Sequence, residues 1–274
     1  MRRHAISVFA AFAAATTPLN ASAEDEEAER GWSVSVGAGL VLAPSYLGDD
    51  NYQLVAAPNL SVKYGDEFFA SFTQGIGYNV VNSGGWRVGP IAKYDFGRSE
   101  DDDNPFRIAG DDTENLDGLG DVDGTVELGA FAEYTFRPFS AKIELRQGVN
   151  GHQGLVGEVE AKFRGGLVLF DQRLGYAIGP RLLFGNETYN DAFFGIDADQ
   201  SARSGLDQSD ADGGLLSYGL GASVFFPITE SASAAFFAGY DRLTGDADDS
   251  SLVQDRGSRN QGVAGFFLTY EFQL

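Results

Sequence analysis

The sequence predicts an all-β protein, a transmembrane antiparallel up-and-down β-barrel. Apolar and polar residues alternate in runs of about 9 to 15 residues, at or above the length that a tilted membrane-spanning strand needs. The chain of 274 residues has 36 glycines and 13% aromatic residues, and its formal net charge is −21. Glycine, aromatic and acidic residues together are typical of secreted or outer-membrane β proteins and unusual for cytoplasmic enzymes.

The composition also excludes several functional classes. The chain contains no cysteine, which excludes disulfide scaffolds, thiolate metal sites, iron–sulfur clusters and an N-terminal lipidated cysteine. A surface this acidic would repel nucleic acid. With two histidines in the whole chain, we expect neither a cofactor, nor a metal site, nor an enzyme.

The N-terminus predicts export. Arg2 and Arg3 precede an apolar stretch over residues 5–15, and Ala21-Ser22-Ala23 is a small-residue cleavage site. We therefore predict a signal peptide over residues 1–23, removed near Ala23, and a barrel domain over residues 24–274 in the outer membrane of a Gram-negative cell.

The strands follow in order from the alternation. In the run 122–136 the even positions are apolar or small and most odd positions are polar, and the next runs repeat the pattern after short turns. Both ends of such a chain should lie in the periplasm, so the number of strands must be even. Eleven runs are recognised, and the run 67–81 is therefore split at Gln74-Gly75 into an up strand and a down strand. Twelve strands are predicted, with ten as the alternative. The other predicted runs are 32–42, 54–64, 86–96, 139–146, 155–164, 172–184, 216–226, 232–240 and 264–274.

The polar face of these strands decides between a soluble and a membrane barrel. A soluble core would bury these charges at a high free-energy cost, whereas a barrel interior accepts them as ion pairs or in water. Two interpretations stay open: a paired network that fills a narrow barrel, or the lining of a small selective channel. The predicted lumen-facing charges are Asp123, Glu127, Glu133, Lys142, Glu144, Arg146, Glu158, Glu160, Lys162, Arg164, Arg173 and Arg181.

Connections alternate in length, as in bacterial barrels with short periplasmic turns and long outer loops. Short turns are predicted at 65–66, 137–138, 170–171 and 227–230, and long polar loops at 97–120, 185–213 and 244–260. Aromatic residues near the strand ends predict interfacial girdles. The segment 189–196 either extends a hairpin above the membrane or folds into the mouth.

Candidates for chemistry are few. His152 lies in a glycine-flanked connection, which favours a turn residue over a general base. The acidic runs 100–103 and 246–249 lack the spacing of a calcium loop, and solvated charge is the favoured interpretation. A weaker hypothesis is that divalent ions bridge these loops to lipopolysaccharide.

Several motifs together resemble the MltA-interacting MipA/OmpV family of outer-membrane proteins. They are GLVLAPSYLGDDNY at 39–52, Gly89-Pro90, YDFGR at 94–98, LGDVD at 119–123 with Glu127, RQG at 146–148 with Gly151-His152, and GSRNQ at 257–261. The resemblance implies an outer-membrane barrel and, for the namesake, an adaptor that joins a periplasmic lytic transglycosylase to a murein synthase. It supplies no catalytic residues.

The resemblance favours a scaffold, and the alternative is a small-solute channel involved in permeability or osmotic adaptation. The expected partners are outer-membrane lipid and lipopolysaccharide, and periplasmic murein hydrolase and synthase. The last nine residues, 266–274, resemble the signal that the barrel-insertion machinery recognises, with Leu274 in place of the usual phenylalanine.

Overall fold

A computed structural model describes residues 31–101, 104–110, 112–169 and 172–274. The predicted signal peptide and its cleavage site, and the turn at 170–171, lie outside these residues. Within them, every helix is too short or too polar to cross a membrane.

The predicted twelve-strand antiparallel barrel is confirmed. Its ring closes because β1 pairs with both β2 and β14, and the strand β4 continues after a break as β5. The short strand β7 lies in an outer loop and pairs with the edge of β2. The strands are β1 Trp32–Pro44, β2 Tyr52–Tyr64, β3 Phe68–Ser71, β4 Gly75–Tyr78, β5 Val81–Ser83, β6 Trp86–Asp95, β7 Arg107–Ala109, β8 Thr125–Phe136, β9 Phe139–Gly148, β10 Leu155–Leu169, β11 Gln172–Gly185, β12 Gly214–Pro227, β13 Ala232–Leu243 and β14 Asn260–Gln273.

Alternation sets the two faces of the wall. On β8, Thr125, Glu127 and Phe131 are buried inside, while Leu128 and Phe136 are exposed on the outer face. A charged interior and an apolar exterior are what the bilayer requires of a barrel.

The hairpin β3–β4 is much shorter than its neighbours. Each of its strands has four residues, and β3 pairs only with the last four residues of β2. Above the hairpin, the amide of Ala56 donates to the carbonyl of Phe106 at 2.8 Å. Pro58, which has no N–H to leave unpaired, lies on the same stretch of β2. The outer half of the wall between β2 and β6 is therefore covered by loop residues.

An aromatic belt marks the end of the barrel that carries the short turns. The ring centroids of Phe136 and Phe139 are 5.6 Å apart, those of Phe139 and Phe163 are 5.4 Å apart, and those of Phe163 and Tyr176 are 6.1 Å apart. Such a belt lies at the membrane interface, and the short turns place it on the periplasmic side.

In their described residues, the long loops contain four helices that the sequence did not predict: α1 Glu187–Phe194, α2 Ala198–Ser204, α3 Asp246–Asp249 and α4 Ser251–Arg256. The acidic run 246–249, predicted as solvated loop charge, folds as α3. We define the lid as segments 45–51, 113–122, 186–213 and 244–259. It packs over the extracellular mouth around two apolar clusters, so the segment 189–196 folds into the mouth. The buried lid side chains include Tyr46, Leu116, Leu119, Tyr189, Phe193, Phe194, Ile196, Leu206, Leu252 and Val253.

Candidate functional site: a charged barrel interior beneath the lid

Arg146 on β9 is the centre of an ion-pair network inside the barrel. Its Nε donates to Glu127 Oε2 at 2.6 Å, and its Nη2 donates to Glu158 Oε1 at 2.6 Å. Its Nη1 donates to Glu144. One guanidinium thus joins carboxylates from β8, β9 and β10, which fits its planar set of five donors.

Two of these carboxylates lie directly opposite each other, because Glu144 and Glu158 are register partners on β9 and β10. Like charges in that position repel each other. The Nζ of Lys93, on β6, lies 2.5 Å from Glu144 and 3.8 Å from Glu158, and Lys142 Nζ lies 2.6 Å from Glu144. Cations from two strands therefore offset the repulsion.

A second cluster lies nearer the periplasm on the same side of the barrel. Glu133 pairs with Arg87 at 2.8 Å and with Arg164 at 3.5 Å, and Lys162 pairs with Glu160 at 2.7 Å. The charged half of the wall thus extends over β6, β8, β9 and β10.

A separate ion pair crosses a whole strand. Arg181 on β11 donates through Nε to Asp241 Oδ1 on β13 at 2.6 Å, over Gly219 on β12. A Cβ at position 219 would lie 2.1 Å from that oxygen and 2.2 Å from the carbonyl oxygen of Tyr240. Glycine is required here because the pair occupies the space of a side chain.

His152 is buried at the upper end of this interior, beneath the lid. The backbone N–H of Gly154 donates to its Nδ1 at 3.0 Å, so the ring proton lies on Nε2, which is 3.1 Å from Glu127 Oε1. Its ring packs edge-on against Tyr189 of α1, with centroids 4.9 Å apart. The arrangement ties the connection between β9 and β10 to both the barrel and the lid.

The structure also brings Asp95 to this point, and Asp95, Glu127 and His152 have ligand atoms within 4.8 Å of one another. The donor set nevertheless fits a metal ion poorly. A metal ion on Nε2 would displace the proton that bonds Glu127 and move it to Nδ1, so His152 would lose both this hydrogen bond and the one from Gly154. Arg146 already occupies the other oxygen of Glu127. The same two bonds occupy both ring nitrogens that a general base would use.

Above His152, a cleft of about 510 Å³ opens between the lid and the barrel mouth. Its lining includes Asp121, Asp123, Glu187 and Asp191, so the entrance is acidic. Below the lid, a smaller cavity of about 80 Å³ lies among Glu158, Glu160, Arg181 and Asp241, and apolar residues such as Leu47, Leu182 and Val263 complete its lining.

Burial shapes the ionisation of the lid. Arg98 donates through Nη1 to the carbonyl of Phe193, and burial lowers the pKa of Arg98 to about 10. Burial also raises the pKa of Tyr46 and the pKa of Asp49 above their ordinary values. One oxygen of Asp49 accepts hydrogen bonds from Asn51, Thr113 and Asn115, while the other, Oδ2, is buried without a partner among the described residues.

Two of the predicted lumen charges lie elsewhere. Asp123 precedes β8, which begins at Thr125, and lines the extracellular cleft, because Val122 pairs with Arg98 and holds this segment in the outer loop. Arg173 is exposed near the end of the β10–β11 hairpin. The other ten lie on inward positions of β8 to β11. Sequence reasoning missed four inward charged residues: Arg87, Lys93, Asp95 and Asp241. The first three lie at alternate positions on the same face of β6, and Asp241 directly follows the predicted run 232–240, so the alternation could have located them.

A family model for the MltA-interacting protein MipA matches residues 36–272. The chain belongs to the MipA family. This confirms the family that the motifs suggested and agrees with an outer-membrane barrel whose strands span the membrane. No curated protein sequence matches the chain.

Among solved structures, the chain resembles other outer-membrane proteins at low identity. The COG4313 outer membrane channel from Pseudomonas putida F1 has 11% identity and a TM-score of 0.44, with 92% of this chain and 100% of that chain covered. CdiB from Acinetobacter baumannii has 7% identity and a TM-score of 0.32, with 88% and 60% covered. The chain therefore spans about three fifths of CdiB, and neither likeness bears on what this MipA-family chain binds.

Proposed function

We propose that this outer-membrane barrel is a scaffold whose periplasmic face binds cell-wall enzymes, a lytic transglycosylase of the MltA type and a murein synthase. The observation that carries the proposal is the lid, whose apolar clusters pack over the mouth. The Arg146 network pairs the charges of three adjacent strands along one side of the interior. A barrel with a covered mouth and paired interior charges offers its outer surfaces, rather than a free passage, for function.

The family description supports the choice of partner, since the model that matches the chain is named for interaction with MltA. The proposal gives His152 a structural role. Lipid surrounds the barrel wall, lipopolysaccharide faces the acidic outer loops, and the barrel-insertion machinery acts during biogenesis.

Co-purification tests the scaffold. Tagged protein from a detergent-solubilised envelope is expected to retain an MltA-type transglycosylase and a murein synthase, both detected by mass spectrometry. An unrelated barrel of similar size with the same tag is the control. Recovery of neither enzyme above that control would refute the scaffold.

The cavity among Glu158, Glu160, Arg181 and Asp241 favours a second candidate, a small-solute channel. Charged groups that line a narrow passage select ions by sign and size. Planar bilayers separate the two functions, because the scaffold is expected to be silent. Stable single-channel steps from the wild-type protein would favour the channel.

A further inference from the structure

The β10–β11 hairpin continues beyond the barrel wall on the periplasmic side. The last register pair between β10 and β9 joins Phe163 to Phe139, and the amide of Arg164 donates to the carbonyl of Pro138 at 2.7 Å. Residues 165–169 pair only with β11. At about 3.3 Å per residue, this tip projects roughly 16 Å along the strand axis.

The aromatic belt shows on which side of the interface the tip lies. Phe139, Phe163 and Tyr176 belong to the belt, and their rings contact each other in sequence around the wall. Residues 166–169 follow Phe163 in the direction away from the membrane. The tip is therefore in the periplasm, beyond the level at which lipid chains cover the wall.

The chemistry of the tip does not fit that location. Leu167, Val168 and Leu169 are 42%, 68% and 46% exposed, and successive side chains point to opposite faces of the hairpin. Outside the bilayer, apolar side chains are rarely exposed on both faces of a strand whose edge is unpaired. Proteins normally protect such edges, and an unprotected one pairs with another chain.

The backbone of β10 has a free edge at the same place. In an antiparallel ladder, alternate residues direct their N–H and C=O groups to the same neighbouring strand. Since the N–H of Arg164 points to the β9 side, those of Gly166 and Val168 point there too. In the described part of the chain, no strand lies beside them. This is the geometry of a sheet edge that binds an extended peptide as an added strand.

We propose that the tip of the β10–β11 hairpin binds an extended segment of a periplasmic protein, which adds as a strand along β10. Arg137, in the turn beside this edge, and Arg173, opposite Val168, are exposed and form no ion pair among the described residues. The segment therefore carries acidic residues among apolar ones. This inference rests on the scaffold function and names its docking strand.

Cysteine protection tests the occupancy of the edge directly, because the natural chain has no cysteine. Val168→Cys is treated with a water-soluble maleimide in isolated envelopes and in phosphatidylethanolamine/phosphatidylglycerol vesicles that contain only the purified protein. We expect labelling at least tenfold slower in envelopes than in vesicles. Ile228→Cys, in the exposed β12–β13 turn, is the control and should react equally in both.

Two results would overturn the proposal. Equal labelling of Val168→Cys in both preparations would mean that the edge is free in the envelope. Protection already in the vesicles would mean that lipid or a second copy of the chain covers the tip.

A proline variant then tests whether the contact is a strand. Val168→Pro removes the N–H on the free edge and leaves the β11 side of the hairpin paired, whereas Val168→Thr keeps the N–H. Protein in nanodiscs is presented to a purified MltA-type transglycosylase in biolayer interferometry. We expect Val168→Pro to weaken binding at least tenfold and Val168→Thr to bind like wild type, with heat-modifiable gel migration confirming that both fold.

These outcomes separate the two proposals. If the wild type and Val168→Pro bind the enzyme equally, the strand proposal fails and the scaffold stands. If the wild type does not bind it while Val168→Cys is protected in envelopes, the scaffold for this enzyme fails and strand addition by another periplasmic protein stands.

Discussion

The barrel interior and the lid are two cores of opposite chemistry in one chain. Inside the barrel, the most buried contacts join Arg146 to carboxylates, while in the lid they join side chains such as Phe194 and Leu252. The solvent outside each core explains the difference. The barrel is surrounded by lipid, so its exterior can be apolar and its interior charged, whereas the lid is in water and folds by burying apolar area.

The two cores should therefore fail in different ways. Loss of an ion in the barrel leaves unpaired charges of the other sign, and loss of an apolar group in the lid leaves a cavity.

Arg146→Ala should cause the largest loss. It leaves Glu127, Glu144 and Glu158 without their shared cation, and breaking a buried ion pair costs about 3–5 kcal/mol. Urea unfolding in lipid vesicles measures the effect. Arg259→Ala, which breaks a lid ion pair whose arginine side chain is 42% exposed, should cost about 1 kcal/mol or less. Equal losses of unfolding free energy in both variants would show that the ion pairs inside the barrel stabilise the protein no more than an ion pair of the lid.

Phe194→Ala should damage the lid and spare the barrel. Phe194 is fully buried, and truncation of a buried phenylalanine costs about 3 kcal/mol or more. Protease should cleave the outer loops faster in the variant, while gel migration of the folded barrel stays unchanged. Simultaneous loss of the heat-modifiable band would show that lid and barrel fold as one unit.

Gly219→Ala tests the ion pair between Arg181 and Asp241, which lies above Gly219 in the space that a side chain would fill. The new Cβ would displace Asp241 from Arg181 and press on the backbone of Tyr240, at a cost of about 1–3 kcal/mol. Gly214→Ala, at the start of the same strand, has open space around its Cβ and should be nearly neutral. A wild-type unfolding midpoint for Gly219→Ala would contradict the close approach.

The smallest effect concerns Asp49 and pH. Burial raises the pKa of Asp49 when the lid is folded, so its contribution to stability is fully present below the unfolded pKa and is lost as pH rises through the folded pKa. Proteolysis of the wild-type lid should thus be faster at pH 7 than at pH 4. Asp49→Asn should reduce that difference, because it removes the buried group that titrates. Asp207→Asn, at an exposed position of the lid, should leave it unchanged.

The sequence predicts the barrel far better than the lid, and the cause is periodicity. Every barrel strand except the short strands β3, β4 and β5 is long enough for its alternation to be recognised. The run around Gln74 is divided into two strands only because the number of strands must be even. The charged side chains of β8 to β10 follow from the same alternation. Lys93 could have been placed with them, since Arg87, Lys93 and Asp95 lie on the same face of β6.

The lid has no comparable signal. Its apolar residues are separated by polar ones, and Tyr46, Leu116, Ile196 and Leu252 meet only after four loops converge. Its helices have four to eight residues, too few for a helical period to stand out. One local sign was available, because Asp197 and Gln200 form a capping box at the start of α2.

The half-height β3–β4 hairpin has a consequence for how such barrels change size. At the periplasmic level the wall contains twelve strands, while above Ser71 the ladder is interrupted and ten strands remain. Single-chain bacterial barrels have even numbers of strands. A hairpin that covers only part of the wall height combines two even numbers, ten and twelve, in one barrel, and the other strands keep their ladder pairing.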